Sequence, residues 1–197
     1  MRTGWGGHPG RVMVFMVSID RVPFENRWRL ATAGAMDLAM AYTVAVRRTV
    51  GEAFGEALDE MEVGFWEGAG LEQVAIARAF GFPLRNAREV AEAFTTISVL
   101  FQGPQLGVAK IGESGEDSAV ITMDACPALA RARKFRMDTK RVCMGCEAYS
   151  RAAVEALNPA YTLSHEKSMC LGDPRCEVVI SPLRRGAGRG RAGAGRA

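Results

Sequence analysis

The chain has 197 residues, of which 48% are hydrophobic and 24% are charged, a balance typical of a globular protein that folds without disulfides. No run of apolar residues reaches the ~20 needed to cross a bilayer, which argues against a membrane-spanning protein. Much of the positive charge behind the formal net charge of +3 lies at the C-terminal end. The rest of the chain is close to neutral, which argues against a nucleic-acid-binding domain.

The two ends of the chain are predicted to lie outside the folded domain. Residues 1–23 form a leader of uncertain structure, whose short apolar run at 12–19 lacks a cleavage pattern and is followed at once by Asp20 and Arg21. Residues 183–197 are mostly Gly, Ala and Arg, have almost nothing to bury, and are predicted to be a disordered tail. We therefore expect a cytoplasmic protein, in which five cysteines are thiols or metal ligands.

Residues 24–103 are predicted to form a helical lobe, because apolar side chains recur at helical spacing. The helices are expected over 27–50, 54–66, 71–80 and 86–101, with Asn86 as an N-cap and with glycines at 81 and 103 as stops. The large side chains of this lobe are predicted to be core rather than the lining of a pocket. They are Trp28, Met36, Met40, Tyr42, Phe54, Phe65, Trp66, Phe94 and Phe101.

Residues 104–182 are predicted to form a sheet that carries two inserted helices. Alternating and β-branched runs indicate strands at 106–111, 118–124, 161–169 and 177–181, and helical runs indicate helices at 127–136 and 145–157. The order of elements predicts a single α+β domain over 24–182, with the helical lobe packed on a four-stranded antiparallel sheet.

Four cysteines are predicted to form one thiol-rich site. Cys170 and Cys176 flank a Gly-Asp-Pro-Arg turn, so in a hairpin they lie opposite each other. Cys143 and Cys146 are spaced so that both sulfurs reach one metal ion, at the start of a helix that favours thiolates. Four thiolates suit zinc, or alternatively an iron–sulfur cluster. The other interpretations are buried apolar cysteines and a redox dithiol.

Two further residues are candidates for catalysis. Cys126 lies where a strand is followed by a helix, a position that lowers a thiol pKa and suits a nucleophile, a packing residue or a fifth metal ligand. His165 is the only histidine within the predicted domain, and it is our first choice for a general base.

The segment from Asp124 to Ile180 resembles the L-2-amino-thiazoline-4-carboxylic acid hydrolase-like family. The likeness rests on Cys126-Pro127, the Cys146-Glu147 pair, the Asn158-Pro159 stop and the Gly-Asp-x-x-Cys-Glu hairpin. The hairpin also resembles the vinyl-4-reductase-type ligand-binding domain. In that superfamily the cysteines matching Cys143, Cys170 and Cys176 bind zinc beside a small-molecule pocket, which the resemblance implies here. An acidic ligand of those relatives is replaced by Lys140, so that Cys146, Glu147 or Cys126 would have to take its place.

Three functions follow as hypotheses. The first is a hydrolase-like enzyme that acts on a cyclic or amide-type small molecule, with Cys126 or Cys146 as nucleophile or with a zinc-bound water. The second is a non-catalytic small-molecule-binding module held together by a structural zinc, and the third is an iron–sulfur or redox protein. The partner is in each case a small molecule rather than a membrane, and nucleic acid could contact only the basic tail. The sequence does not fix the oligomeric state.

Overall fold

The structure is a computed structural model that describes residues 19–103, 109–113 and 117–183. Most of the leader, the tail, the start of the first predicted strand and part of the following turn therefore lie outside the described residues. The helices are α1 (Phe24–Val50), α2 (Gly55–Leu71), α3 (Gln73–Phe80), α4 (Ala87–Gln102), α5 (Pro127–Phe135) and α6 (Thr139–Leu157). The strands are β1 (Ala109–Glu113), β2 (Ala119–Met123), β3 (Tyr161–Lys167) and β4 (Cys176–Pro182).

The predicted α+β fold is confirmed. The four strands form one antiparallel sheet in the order β1-β2-β4-β3, so β4 returns to lie between β2 and β3. The core lies between this sheet and the inner faces of α4 and α6. Among the described residues, no helix combines the length and apolar character needed to cross a bilayer.

Several helix ends lie where N-cap residues and glycines in the sequence predicted them. The Asn86 side chain accepts a hydrogen bond from the Glu89 amide at 2.9 Å and so begins α4. Gly81 ends α3 in the left-handed region at φ +66°. The helix expected to begin at Gly145 instead begins at Thr139, because the Asp138 carboxylate accepts from the Lys140 amide at 2.9 Å and forms an earlier N-cap.

The prediction that the large side chains of the helical lobe form core is wrong for several of them. Tyr42, Phe54, Phe65 and Phe101 are all exposed, and Met40 is the one residue of α1 that is fully buried. The reason is that α1 packs on the domain through a narrow face, mainly against α4 and α5. Helical spacing shows which side chains share a face, but it does not show whether another element covers that face.

Candidate functional site

A pocket opens between α4, α6 and the sheet and reaches the beginning of α5. Its empty space, including the mouth, is about 750 Å³. Phe94, Ile121 and Val178 give it an apolar wall, and all five cysteines and His165 also line it. Among the described lining residues there is no Asp, Glu, Lys or Arg, so the pocket offers no charged partner outside its thiols and imidazole.

The sheet order explains why Cys126 and Cys176 meet. In the pairing of β2 with β4, Met123 lies opposite Cys176. The chain leaves β2 after Met123 and reaches Cys126 three residues later, where α5 begins. Cys126 and the first residue of β4 are therefore brought to the same edge of the sheet. Cys143 and Cys146 reach that edge from α6, on which they are about one turn apart.

Cys170 reaches the pocket by a different route from the one expected. The prediction that Cys170 and Cys176 face each other across a hairpin is wrong, because Cys170 lies in a 3-10 turn, Met169–Leu171, between the strands. The turn is held by the Asp173 carboxylate, which accepts from the Ser168 amide at 2.7 Å. The Met169 amide donates to the sulfur of Cys176 at 3.4 Å. Both cysteines are buried.

The helix-start environment belongs to Cys126 and not to Cys143 and Cys146. Because α6 begins at Thr139, Cys143 and Cys146 lie inside the helix, where amides are already bonded. Cys126 is the N-cap of α5, and its Sγ accepts a hydrogen bond from the Leu129 amide at 3.3 Å. The predicted strand-to-helix position of Cys126 thus has the expected local geometry.

The surroundings of Cys126 favour its thiolate. Hydrogen bonds from the Cys170 and Cys176 thiols, supported by the amides of Leu129 and Ala128, lower the pKa of Cys126 to about 3 against the opposing effect of burial. For the same reason the contact with Cys126 raises the pKa of Cys170 and of Cys176 above the ordinary value of a thiol. These contacts therefore favour the anion on Cys126 and the protonated form on Cys170 and Cys176.

The described sulfur contacts link Cys126, Cys143, Cys170 and Cys176, whereas the predicted metal-binding quartet has Cys146 in place of Cys126. Cys126 contacts Cys170 and Cys176, and Cys143 also contacts Cys170. Cys146 lines the same pocket, and burial, together with the nearby Cys126 and Cys143, raises the pKa of Cys146 to about 12. Thiols are suitable donors for a soft cation such as zinc. In the described part of the chain, however, no three His, Cys, Asp or Glu side chains are arranged to hold a metal ion.

His165 lines the pocket on the core-facing side of β3. The Ser150 hydroxyl donates to the Cys146 carbonyl at 2.8 Å, and its oxygen lies 2.9 Å from His165 Nε2. Since a hydroxyl has one hydrogen, Nε2 is the donor to Ser150 and Nδ1 is left as the basic nitrogen. Burial lowers the pKa of His165, against the opposing effect of the nearby Glu147 and with a smaller contribution from Arg151.

The neighbouring acids point away from the thiols. Asp124, which would oppose a thiolate at Cys126 if their side chains met, is exposed and pairs with Lys110 at 3.6 Å. Glu147 is exposed and pairs with Arg151. Asp124 therefore has no described contact with the site, whereas the charge of Glu147 acts on two pocket residues by raising the pKa of Cys146 and opposing the lowering of the pKa of His165.

A buried polar group beside the pocket was missed by sequence reasoning. Gln73 is 0% exposed, and its amide donates to Ser98 Oγ at 3.1 Å and to the Tyr149 hydroxyl at 2.5 Å. Ser98 and Tyr149 line the pocket, as does Thr95, whose hydroxyl is buried with no partner among the described residues. The signal was Ser98 and Thr95 on the otherwise apolar face of α4.

Comparisons with known proteins show little. No family model matches the chain, and no curated protein matches it. Among solved structures, the chain is similar to the crystal structure of a trafficking protein particle complex subunit 3 from Naegleria fowleri. In that structure the subunit is covalently bound to palmitic acid. The TM-score is 0.49 and the sequence identity 15%, with 76% of this chain and 93% of that chain covered. A likeness at this level does not assign a family or a function.

Proposed function

We propose that the chain binds an uncharged, largely apolar small molecule in this pocket and that Cys126 attacks an electrophilic carbonyl carbon of the molecule. One observation carries the proposal: Cys126 caps α5, its sulfur accepts a hydrogen bond from the Leu129 amide at 3.3 Å, and it lies on the wall of an apolar pocket. Thiolates rather than thiols are nucleophiles, and a thiolate at a helix N-terminus is the arrangement expected of a reactive cysteine.

The charge of the lining supports an uncharged substrate. A buried charge without a partner costs several kcal/mol, roughly, and the described lining offers no Lys or Arg for a carboxylate. A cyclic thiazoline amino acid, the substrate class implied by the family resemblance, would bring a carboxylate into this pocket. We therefore retain from that resemblance the hydrolysis of a cyclic or amide-type C–N bond, and we propose a neutral substrate for it.

The cysteine cluster supplies the groups that this reaction needs. The Cys126 thiolate forms a bond to the carbonyl carbon, the C–N bond breaks, and the leaving nitrogen takes a proton from the thiol of Cys170 or Cys176. Water then hydrolyses the thioester, releasing the acid, returning Cys126 to its thiolate and giving back the proton to the neighbouring thiol. His165, whose pKa is lowered by burial, is the candidate base for activating that water.

The proposal predicts that Cys126 distinguishes neutral from charged reagents. Iodoacetamide and iodoacetate alkylate thiolates by the same chemistry, but only iodoacetate carries a negative charge into the apolar pocket beside an anionic sulfur. We expect iodoacetamide to modify Cys126 at least about tenfold faster, which corresponds to ~1.4 kcal/mol. Peptide mass spectrometry over time measures both rates.

The matched control for that measurement is the same chain unfolded in urea, in which the preference for iodoacetamide at Cys126 should fall close to that of a small thiol. A Cys126→Ser variant tests whether the modified peptide is assigned correctly. Equal rates of the two reagents in the folded protein, or no selective modification of Cys126, would contradict a nucleophile in an apolar pocket.

A second candidate function is the non-catalytic binding module with a structural zinc. The observation that favours it is the contact network of the sulfurs of Cys126, Cys143, Cys170 and Cys176, which lie at the start of α5, in α6, in the 3-10 turn and at the start of β4, respectively. The described side chains are not arranged around an ion, so these four sulfurs would have to close on it as ligands, and the ion would then tie α5, α6 and the β3–β4 connection together.

Metal content separates the two functions. The zinc hypothesis predicts about one tightly bound zinc per chain by elemental analysis, and a Cys143→Ser variant that loses both the metal and most of its thermal stability. Cys146→Ser, which changes the cysteine outside the contact network, is the control and should keep the zinc. Metal-free protein with an unchanged Tm on Cys143→Ser would contradict the zinc hypothesis, and a colourless anaerobic preparation would contradict an iron–sulfur cluster.

A further inference from the structure

The outward face of α1 is apolar over most of its length. Leu30, Leu38 and Tyr42 are 63%, 72% and 70% exposed, respectively. At 100° per residue these three side chains fall on one side of the helix, and the residues between them on that side are small. Those small exposed residues are Ala31, Gly34, Ala35, Ala41 and Ala45.

This face carries no charge over about four turns. Between Leu30 and Val46 the one charged residue is Asp37, which lies at the border of the stripe beside Leu30 and is paired with Arg131 at 3.4 Å and with Lys134 at 2.5 Å on α5. Isolated exposed apolar side chains are common, but a continuous uncharged stripe of this length marks an interaction surface. The ion pairs hold α1 so that the stripe faces outward.

The shape of the face fits a second copy of the same chain. With Leu38 placed on a two-fold axis and two α1 helices running antiparallel, residues at equal distances on either side of Leu38 meet. Gly34 and Tyr42 lie four residues from Leu38 in opposite directions, so each Tyr42 ring meets the Gly34 of the other copy. A Cβ added at Gly34 meets nothing within 4 Å, so this chain leaves that space empty. Ala35 meets Ala41 in the same way.

The area is sufficient for such an interface. Judged from residue size and exposure, the stripe presents roughly 700 Å² of surface, close to the ~800 Å² that each partner contributes to a standard interface. A two-fold contact uses the same patch on both chains, and a self-complementary patch is therefore what the arrangement requires. We infer that the chain forms a two-fold homodimer through antiparallel packing of α1 around Leu38.

The mass in solution tests this inference. Light scattering behind size-exclusion chromatography should give twice the 21.2 kDa of one chain for the wild type at micromolar concentration. Leu38→Arg should give a single chain, because it brings two guanidinium groups together on the axis. Phe80→Arg makes the same chemical change at a side chain that is 74% exposed on α3, and it should leave the dimer intact.

Cross-linking gives a second result that does not depend on a destabilising substitution. Under mild oxidation Leu38→Cys should form a disulfide-linked dimer, because close antiparallel helices bring the two axial positions within disulfide reach. Ala31→Cys should not, since its copy is roughly 21 Å away along the helix at ~1.5 Å per residue. A wild type with the mass of one chain, a dimer that survives Leu38→Arg, or equal cross-linking at both positions overturns the inference.

Discussion

Alkylation of Cys126 by iodoacetamide is expected to proceed at nearly the same rate from pH 8 down to pH 5. The pKa of Cys126 is lowered to about 3 by the Cys170 and Cys176 thiols and by the first amides of α5. The thiolate is the reactive form, and a group whose pKa lies below the whole range stays ionised throughout it. An ordinary cysteine, with a pKa of about 8.5, loses about tenfold in rate for each pH unit below that value.

The absolute rates should show a compensating effect. A thiolate of low pKa is intrinsically less nucleophilic, by roughly 300-fold over about 5.5 pKa units at a Brønsted coefficient near 0.45. At pH 5 an ordinary thiol is about one part in 3000 ionised, so Cys126 should still react about tenfold faster than glutathione. At pH 8 a much larger fraction of glutathione is ionised, so Cys126 should be the slower of the two. The crossing of the two profiles distinguishes a stabilised thiolate from a merely accessible thiol.

The pocket contains its own control for this experiment. Burial, together with the nearby Cys126 and Cys143, raises the pKa of Cys146 to about 12, so this residue should stay unmodified across the same pH range. Cys170→Ala removes the largest stabilising contact of Cys126 and should move the midpoint of the profile to higher pH. The measurement is made with and without a chelator, because a bound metal would mask all these thiols. A rate for Cys126 that climbs tenfold per pH unit between pH 6 and 8 would contradict the lowered pKa.

Local chemistry made the elements and some of the site predictable. The caps at Asn86 and Gly81 and the junction at Cys126 depend on neighbours within a few residues, and the structure has them where the sequence indicated. The antiparallel sheet followed from strand lengths and turns. That β4 lies between β2 and β3 depends on long-range pairing, which no local pattern encodes.

This pairing decides which cysteine is central. Because β2 neighbours β4, Cys126 meets Cys176 and the 3-10 turn that carries Cys170. Spacing alone favoured Cys146 as the partner of Cys143, since the two are three residues apart. Exposure was misjudged for a similar reason: the repeat along α1 shows which side chains share a face, and only the packing shows that Leu38 and Tyr42 remain uncovered.

Gly70→Ala is expected to destabilise the protein strongly, because α2 packs directly on α6 at this position. The added Cβ would overlap the carbonyl oxygen of Tyr149 and lie 3.0 Å from the amide nitrogen of Ala153. Both are backbone atoms of a helix and cannot turn away as a flexible side chain could. Overpacking of this kind costs about 1–3 kcal/mol, and we expect Tm to fall by roughly 3–10 °C.

Gly68→Ala is the matched control, since it lies on the same helix two residues away and its added Cβ meets nothing within 4 Å. The helix preference of alanine over glycine should make that variant more stable by about 0.5–1 kcal/mol. Since Tyr149 also lines the pocket, the displacement of α6 in Gly70→Ala should slow the modification of Cys126 by iodoacetamide or abolish its preference over iodoacetate. Equal Tm changes in the two variants would contradict the close packing of α2 on α6 at Gly70. The part of the pocket wall formed by α6 would then not depend on α2.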